Sequence, residues 1–320
     1  DLSTNRPMME EMKQGKWPSF VKEIEKAGSS VNKEVCDTLL DLLEESYEVK
    51  MPLWKHGGIV GVRSYGGGVV GRYTLKPEKY PAVTEFHTMR INQPSGFFYK
   101  SDDLRTLRIW DKHGSGITNM HGATGDVIFL GTTTDHLQPC FNDLSEAGWD
   151  LGGSGSNLRT PSCCVGPGRC EFACYDTLDF TYNVTQHYQM ELHRPMWPYK
   201  SKIKASGCPN DCVSATARSD IAVIGTWRDD IQVDQAELLL MQTLAPNQGY
   251  HRPLPNPLIS YDADKKEITI DNANCTRCMH CINNMPKALH VGKDKGASIL
   301  LGGKATIVQS AFLGWTVVPF

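Results

Sequence analysis

Nowhere in these 320 residues does an apolar run approach the ~18 residues needed to cross a bilayer. The strongest stretch, Ala311 to Phe320, is short and interrupted by Gly314 and Pro319. The opening residues, Asp1 to Lys13, are polar and lack the apolar centre of a secretory signal. Basic charge is not in excess either. The 33 Lys and Arg against 36 Asp and Glu leave a net charge of −3, which excludes a general nucleic-acid binder of the strongly basic kind. Several stretches are rich in glycine, but none ends in Gly-Lys-Ser/Thr, so none is a phosphate loop. The expected setting is the cytoplasm.

What remains is an ordinary globular composition, 40% hydrophobic and 22% charged, long enough for roughly two domains and a sizeable core. The unusual quantity is cysteine, with eleven in the chain. Without a secretory signal, so many thiols point to metal ligation rather than to disulfides. Nine of them fall in three compact groups, whereas Cys36 and Cys140 stand alone and are assigned to packing.

The first group runs Cys163-Cys164-Val165-Gly166-Pro167-Gly168-Arg169-Cys170-Glu171-Phe172-Ala173-Cys174, and the second Gly207-Cys208-Pro209-Asn210-Asp211-Cys212. The Cys164-x5-Cys170 and Cys208-x3-Cys212 intervals differ from the tight pairs of zinc ribbons. Two glycine-flanked loops brought together by folding can supply four thiolates to one iron–sulfur cluster, whose separated irons tolerate wide loops and whose sulfurs accept backbone N–H groups. Zinc and buried free thiols remain the alternatives on spacing alone, and Cys163 competes with Cys164.

The rest of the pattern indicates α+β. Residues 1–50 read as a helical arm, with apolar spacing of three and four over Ser19–Lys26 and Val35–Tyr47. Short β-branched runs surround Trp54-Lys55-His56-Gly57-Gly58 and Ser64–Arg72, whose glycines serve as turns between strands or as close approaches to a flat cofactor. Strands are expected at Glu85–Asn92, Val127–Leu130, Ile221–Thr226 and Ala297–Leu301. Helices are expected at Asp135–Ala147, with Pro139 in its first turn, at Thr177–Leu192 between the cysteine loops, and at Val213–Arg218. The proline-rich Pro246–Pro257 reads as a linker, and the alternate Lys200, Lys202 and Lys204 as one face of a strand.

The Cys-x5-Cys and Cys-x3-Cys pair, with Lys-x-Lys shortly before the second, resembles the sirohaem sulfite and nitrite reductases. The fuller set is similar to the dissimilatory sulfite reductase alpha subunits: Trp54–Gly58, Leu158-Arg159-Thr160-Pro161, Cys170–Asp176, His193–Lys200 and Gly207–Cys212. These motifs are specific and span nearly the whole chain.

The resemblance implies a sulfite reductase-type α+β fold and a sirohaem coupled to a 4Fe–4S cluster. It assigns that cluster to Cys164, Cys170, Cys208 and Cys212, with Cys212 shared as axial ligand of the tetrapyrrole iron, and it leaves Cys163 and Cys174 as neighbours. It implies six-electron reduction of sulfite toward sulfide, and nominates Arg72, Arg90, Arg159, Lys200, Lys202 and Lys204 to hold the oxyanion, supply protons or bind the tetrapyrrole carboxylates. It further implies a homologous beta subunit in an α2β2 assembly, a small cysteine-bearing sulfur carrier and an electron donor. Alternatives within the resemblance are an electron-relay subunit whose own site is occluded, with Trp110 as the plug, a nitrite reductase, and a reverse-acting sulfur-oxidising enzyme.

The third group, Cys275-x2-Cys278-x2-Cys281, opens like a bacterial ferredoxin motif, but Met285 follows where a fourth cysteine belongs. In the resembled subunits a second 4Fe–4S cluster takes its fourth cysteine from upstream. Here that stretch reads Asn256-Pro257-Leu258-Ile259-Ser260, so only three ligands are assigned. The expected divisions are an arm over 1–50, a ferredoxin-like half-domain over 51–134, a sirohaem and cluster domain over 135–245, an inserted ferredoxin-type domain over 246–293 and a return over 294–320. The family continues past Phe320, and the expectation is a truncated chain.

Overall fold

The computed structural model describes residues 5–14, scattered positions between 21 and 48, 60–74, 77–78, 84–94, 96–194, 200–244, 258–262, 264–304 and 312–320. The expected helices of the arm fall mostly outside the described residues, as do Trp54–Gly58, Cys36 and the whole Pro246–Pro257 stretch. Within the arm, helix α1 (Pro7–Met12) starts on a proline whose missing N–H costs nothing there. Met9 packs with Val21 and Leu40 in a small separate core.

The first sheet holds β1 (Val60–Gly66), β2 (Val69–Thr74), β3 (Glu85–Asn92), β4 (Ile117–His121) and β5 (Asp126–Thr132), in the order β1-β2-β3-β5-β4 with every pair antiparallel. Gly67 and Gly68 make the β1–β2 turn with positive φ, so the glycine-rich stretch serves as a hairpin. Alternation along β3 and β5 sends Met89, Ile91, Val127 and Phe129 into one core. That core is closed by the short helices α2 (Ser101–Thr106) and α3 (Ile109–His113) and the longer α4 (Thr134–Glu146), through Leu107, Trp110, Cys140 and Leu144. The other face of β3 carries Thr88 and Arg90.

Pro139 is interior to α4 rather than in its first turn. Its ring removes one N–H that would otherwise reach back four residues. Trp110, the candidate plug of the electron-relay alternative, is 1% exposed and lies 4.7 Å from the Phe129 ring on the face of β3 opposite Arg90. Its size fills the helix–sheet core, which removes it from any pocket on the cationic side.

The second sheet is β6 (Ser162–Cys163), β7 (Ile203–Ser206), β8 (Ile221–Trp227), β13 (Lys295–Leu301) and β14 (Trp315–Val318), in the order β14-β13-β8-β7-β6. Between its members lie α5 (Thr177–His187), α6 (Gln189–His193), the single-turn α7 (Ala215–Arg218), β9 (Gln232–Val233), α8 (Gln235–Leu244), β10 (Ile259–Asp262), β11 (Glu267–Ile270), α9 (His280–Asn284) and β12 (Leu289–His290). The single helix expected over Thr177–Leu192 is two, parted at Tyr188. Asp176 caps the first of them by accepting from the N–H groups of Leu178 and Asp179. Among the described residues no helix is long and apolar enough to cross a membrane.

Candidate functional site

The two cysteine loops leave neighbouring parallel strands at the same end, since β6 pairs with β7 through Ser162–Lys204 and Cys163–Ala205. The Cys164 N–H continues the ladder to Ala205 O at 3.0 Å, and Gly207 N–H then donates to Cys164 Sγ at 3.1 Å. The Cys174 N–H closes back on Gly207 O at 2.7 Å. Two glycines make this possible. A Cβ on Gly166 (φ +56) would lie 2.2 Å from Thr177 Oγ1, and one on Gly225 would lie 2.0 Å from Gly207 O. The second loop is tied down by Asp211, whose carboxylate accepts from Ser206 Oγ and from the N–H groups of Ala215 and Thr216.

Cys164, Cys170, Cys208 and Cys212 sit close enough to affect one another's ionisation. Burial pushes the Cys208 thiol up to about 11, with Cys170, Cys212 and Cys164 adding to the rise. Cys212 is raised by burial first and then by Cys164 and Cys170. Thiols so raised become thiolates only against a positive partner, which is what iron supplies. Among the described residues no group of three or more His, Cys, Asp or Glu is arranged for a single metal ion. A zinc site would hold its sulfurs about 3.8 Å apart, at Zn–S distances near 2.3 Å. The four thiols together with the Gly207 donor therefore fit a cluster better than zinc.

Cys163 and Cys174 are immediate neighbours of this group, Cys163 feeling the charge of Cys164 and Cys174 that of Cys208 and Cys170. Successive strand residues point oppositely, and Cys163 Sγ lies under Gly96, where an added Cβ would come within 3.0 Å of it. Burial raises that thiol to about 11. Cys174 is buried, its thiol raised to about 12 chiefly by burial, with Lys295 opposing and Cys208 and Cys170 adding to the rise.

Beside the cysteines lies a concentration of positive charge. Lys204 is 2% exposed, and its Nζ donates to Val213 O, the residue after Cys212, at 3.2 Å. Burial lowers its pKa to about 8, and Lys202 and Arg218 lower it further while Asp211 opposes. Lys202 is lowered by burial too, with Arg159, Arg218 and Arg90 acting in the same direction against Asp220. Arg159 is buried, with Nη2 donating to Gly155 O at 3.1 Å. Arg90 pairs with the fully buried Asp126 at 3.4 Å. Arg72 Nε donates to Thr88 Oγ1 at 3.4 Å, two residues before Arg90 on the same face of β3.

Lys200, Lys202 and Lys204 do not share one strand, because β7 begins at Ile203. Lys202 turns its own N–H to the Asp220 carboxylate instead. Lys200 is half-buried next to the Leu158–Ser201 bridge. Ser162, the register partner of Lys204, has a buried hydroxyl without a partner among the described residues. An orphaned donor beside clustered cations is what an anionic ligand or tetrapyrrole carboxylate would satisfy. Sequence reasoning missed Arg218 and the acids Asp126, Asp211 and Asp220. No local motif marks Arg218, Asp126 or Asp220, since each matters through a partner brought up by the fold, whereas Asp211 stands inside the Gly207–Cys212 motif and bonds residues four and five positions away.

The third cysteine group has its own pocket, lined by Cys275, Cys278 and Cys281 together with apolar side chains including Trp227, Ile231 and Leu258. Burial raises the Cys281 thiol, with Cys275 and Cys278 contributing. This pocket shares a core with the first site, because Cys174 and Cys208 pack in the same cluster as Met279 and Ile282.

Comparison with known proteins gives the family. Residues 154–319 match the nitrite and sulphite reductase 4Fe–4S domain. The chain is 48% identical over 344 residues to the dissimilatory-type sulfite reductase subunit alpha of Nitratidesulfovibrio vulgaris (strain Hildenborough), covering 98% of this chain and 78% of that one. It is 42% identical to the corresponding subunit of Allochromatium vinosum, covering 98% and 77%. The crystal structure of dissimilatory sulfite reductase I superposes with a TM-score of 0.73 at 46% identity, over 99% of this chain and 80% of that one. With a likeness of this depth over its whole described length, the chain belongs to the dissimilatory sulfite reductase alpha-subunit family of the nitrite and sulphite reductases.

Proposed function

We propose that the chain acts as the alpha subunit of a dissimilatory-type sulfite reductase, carrying sulfite toward sulfide by six-electron reduction. The observation that carries this reading is the apposition of two thiol loops and a buried cationic group, joined by the Lys204–Val213 hydrogen bond. Cys164, Cys170, Cys208 and Cys212 would hold a 4Fe–4S cluster, with Cys212 extending to the iron of a sirohaem. When bound, that pair of groups supplies the electrons and the metal centre for sulfite.

The chain's own residues do the rest. Arg90, Arg159, Lys202 and Arg218 provide fixed charge for a small oxyanion and for tetrapyrrole carboxylates, and Arg72 and Lys200 flank them. Lys204, with a pKa near 8, is suited to give and retake a proton at Nζ near neutral pH as S–O bonds break. Cys275, Cys278 and Cys281 would bind a second cluster that feeds the first. A homologous beta subunit in an α2β2 assembly, a small cysteine-bearing sulfur carrier and an electron donor are the proposed partners. A reducing cytoplasm suits so many free thiols.

Steady-state sulfite reduction by Lys204→Met and Lys204→Arg variants of the assembled enzyme tests the reading. Lys204→Met should lose at least about 100-fold in kcat, and Lys204→Arg should keep anion binding while losing proton transfer. Unchanged turnover in both would locate the chemistry outside this chain.

A further inference from the structure

The pocket of Cys275, Cys278 and Cys281 is built for three thiolates rather than four. Arg277 N–H donates to Cys275 Sγ at 3.4 Å, and the Ile282 N–H favours the Cys281 thiolate. Arg277 and Met279 both hold positive φ, +57 and +66, which curls the loop and turns its amides inward. These features suit an anionic cluster, yet most of the other described side chains lining the pocket are hydrocarbon.

Leu258 and Ile259 stand there, held by the Asp271 N–H to Leu258 O bond at 2.8 Å and by Ile259–Ile270 pairing, with Ile231 and Trp227 beside them. Met285, at the fourth position of the motif, is 4% exposed and packs in the shared core, and it does not line the pocket. Arg277 is cationic, and its Nη2 is engaged on Arg228 O at 3.1 Å. Among the described residues the remaining polar side chains lining the pocket are Thr276 and His280, both exposed to solvent.

We propose that this pocket holds an iron–sulfur cluster through three cysteines, and that one of its irons has no ligand among the described residues and exchanges. The cluster would interconvert between 4Fe–4S and 3Fe–4S forms. At the 2+ level the 4Fe–4S form releases Fe2+ and one electron, taken by a one-electron oxidant such as ferricyanide, leaving 3Fe–4S at the 1+ level. Fe2+ and an electron from dithionite reverse the step. The four-thiol site of Cys164, Cys170, Cys208 and Cys212 does not share this exchange, because every iron there has a thiolate. The proposal rests on the family reading only for the loading of clusters at all.

The test is electron paramagnetic resonance with iron analysis on the assembled enzyme purified without oxygen and titrated with ferricyanide. The expected result is the signal of an oxidised 3Fe–4S cluster and release of about one iron per chain, both reversed by Fe2+ and dithionite. Leu258→Cys, or Ile259→Cys if the first does not fold, should close the open corner and abolish signal and release together. The proposal is overturned if the native enzyme keeps its full iron without that signal. It is also overturned if Cys278→Ser leaves the iron content unchanged, or if His280→Ala alone removes the cluster, which would reveal a fourth protein ligand. Failure of the family reading is a separate outcome, read as absence of tetrapyrrole bands in the same sample.

Discussion

Asn210 and Asn283 exchange two side-chain hydrogen bonds, 3.1 and 2.7 Å long, across 73 residues of sequence. Asn210 belongs to the Cys208–Cys212 loop, and Asn283 lies two residues after Cys281 on α9. The pair pins the two cysteine regions to each other at the rim of their shared apolar core. A double-mutant cycle of Asn210→Ala and Asn283→Ala should return a coupling of roughly 0.5–1.5 kcal/mol, measured by urea unfolding. Strict additivity would show that the pair contributes nothing to holding the regions together.

Arg90 and Asp126 form the most deeply buried ion pair described, with side chains 6% and 0% exposed. Burial raises the Asp126 carboxyl, and the Arg90 guanidinium acts against that rise. Arg90→Met leaves the buried Asp126 carboxyl with the Thr124 hydroxyl but without its main counter-charge, and should cost about 3 kcal/mol at neutral pH. The deficit should shrink as pH falls, since a protonated Asp126 needs no counter-charge. Adding Asp126→Leu should recover most of the loss. If the double variant is as unstable as the single one, packing rather than charge is responsible.

His193 and Asp150 approach to 3.3 Å with both side chains partly exposed. The hydrogen bond to Asp150 raises the His193 pKa; burial alone would raise Asp150, but His193 holds its carboxyl low. The raised histidine contributes stability that is full below its unfolded pKa of about 6.5 and is lost as pH climbs through the folded value. The lowered carboxylate contributes above about 3.9 and is lost as pH falls through its depressed value. Solvent screening keeps the size modest. Thermal unfolding from about pH 6 to 8 should show a decline that His193→Gln flattens. An identical slope in the variant would remove this pair from the account.

The cysteine loops and most of the strands were legible in the sequence, because thiol spacing and period-two alternation are local signals. Glu85–Asn92, Ile221–Thr226 and Ala297–Leu301 all lie in strands. Local signals failed where a distant partner decides. Pro139 reads as a first-turn residue of the Asp135–Ala147 helix, yet the helix runs from Thr134 and holds Pro139 in its interior, where Cys140 and Leu144 are buried against the sheet. Lys200, Lys202 and Lys204 read as one strand face, but Asp220 captures the Lys202 N–H and β7 starts one residue later. Arg218 carried no motif at all. It joins the cationic group only because α7 packs on β7 and β8.

The central claim is that four sulfurs from two loops grip one cluster beside the cations. An anomalous difference map recorded at the iron edge on crystals of the assembled enzyme tests it most directly. Iron density is expected enclosed by Cys164, Cys170, Cys208 and Cys212, with none against Cys163. Iron bound through Cys163, or an empty space among those four sulfurs in a fully loaded enzyme, would contradict it.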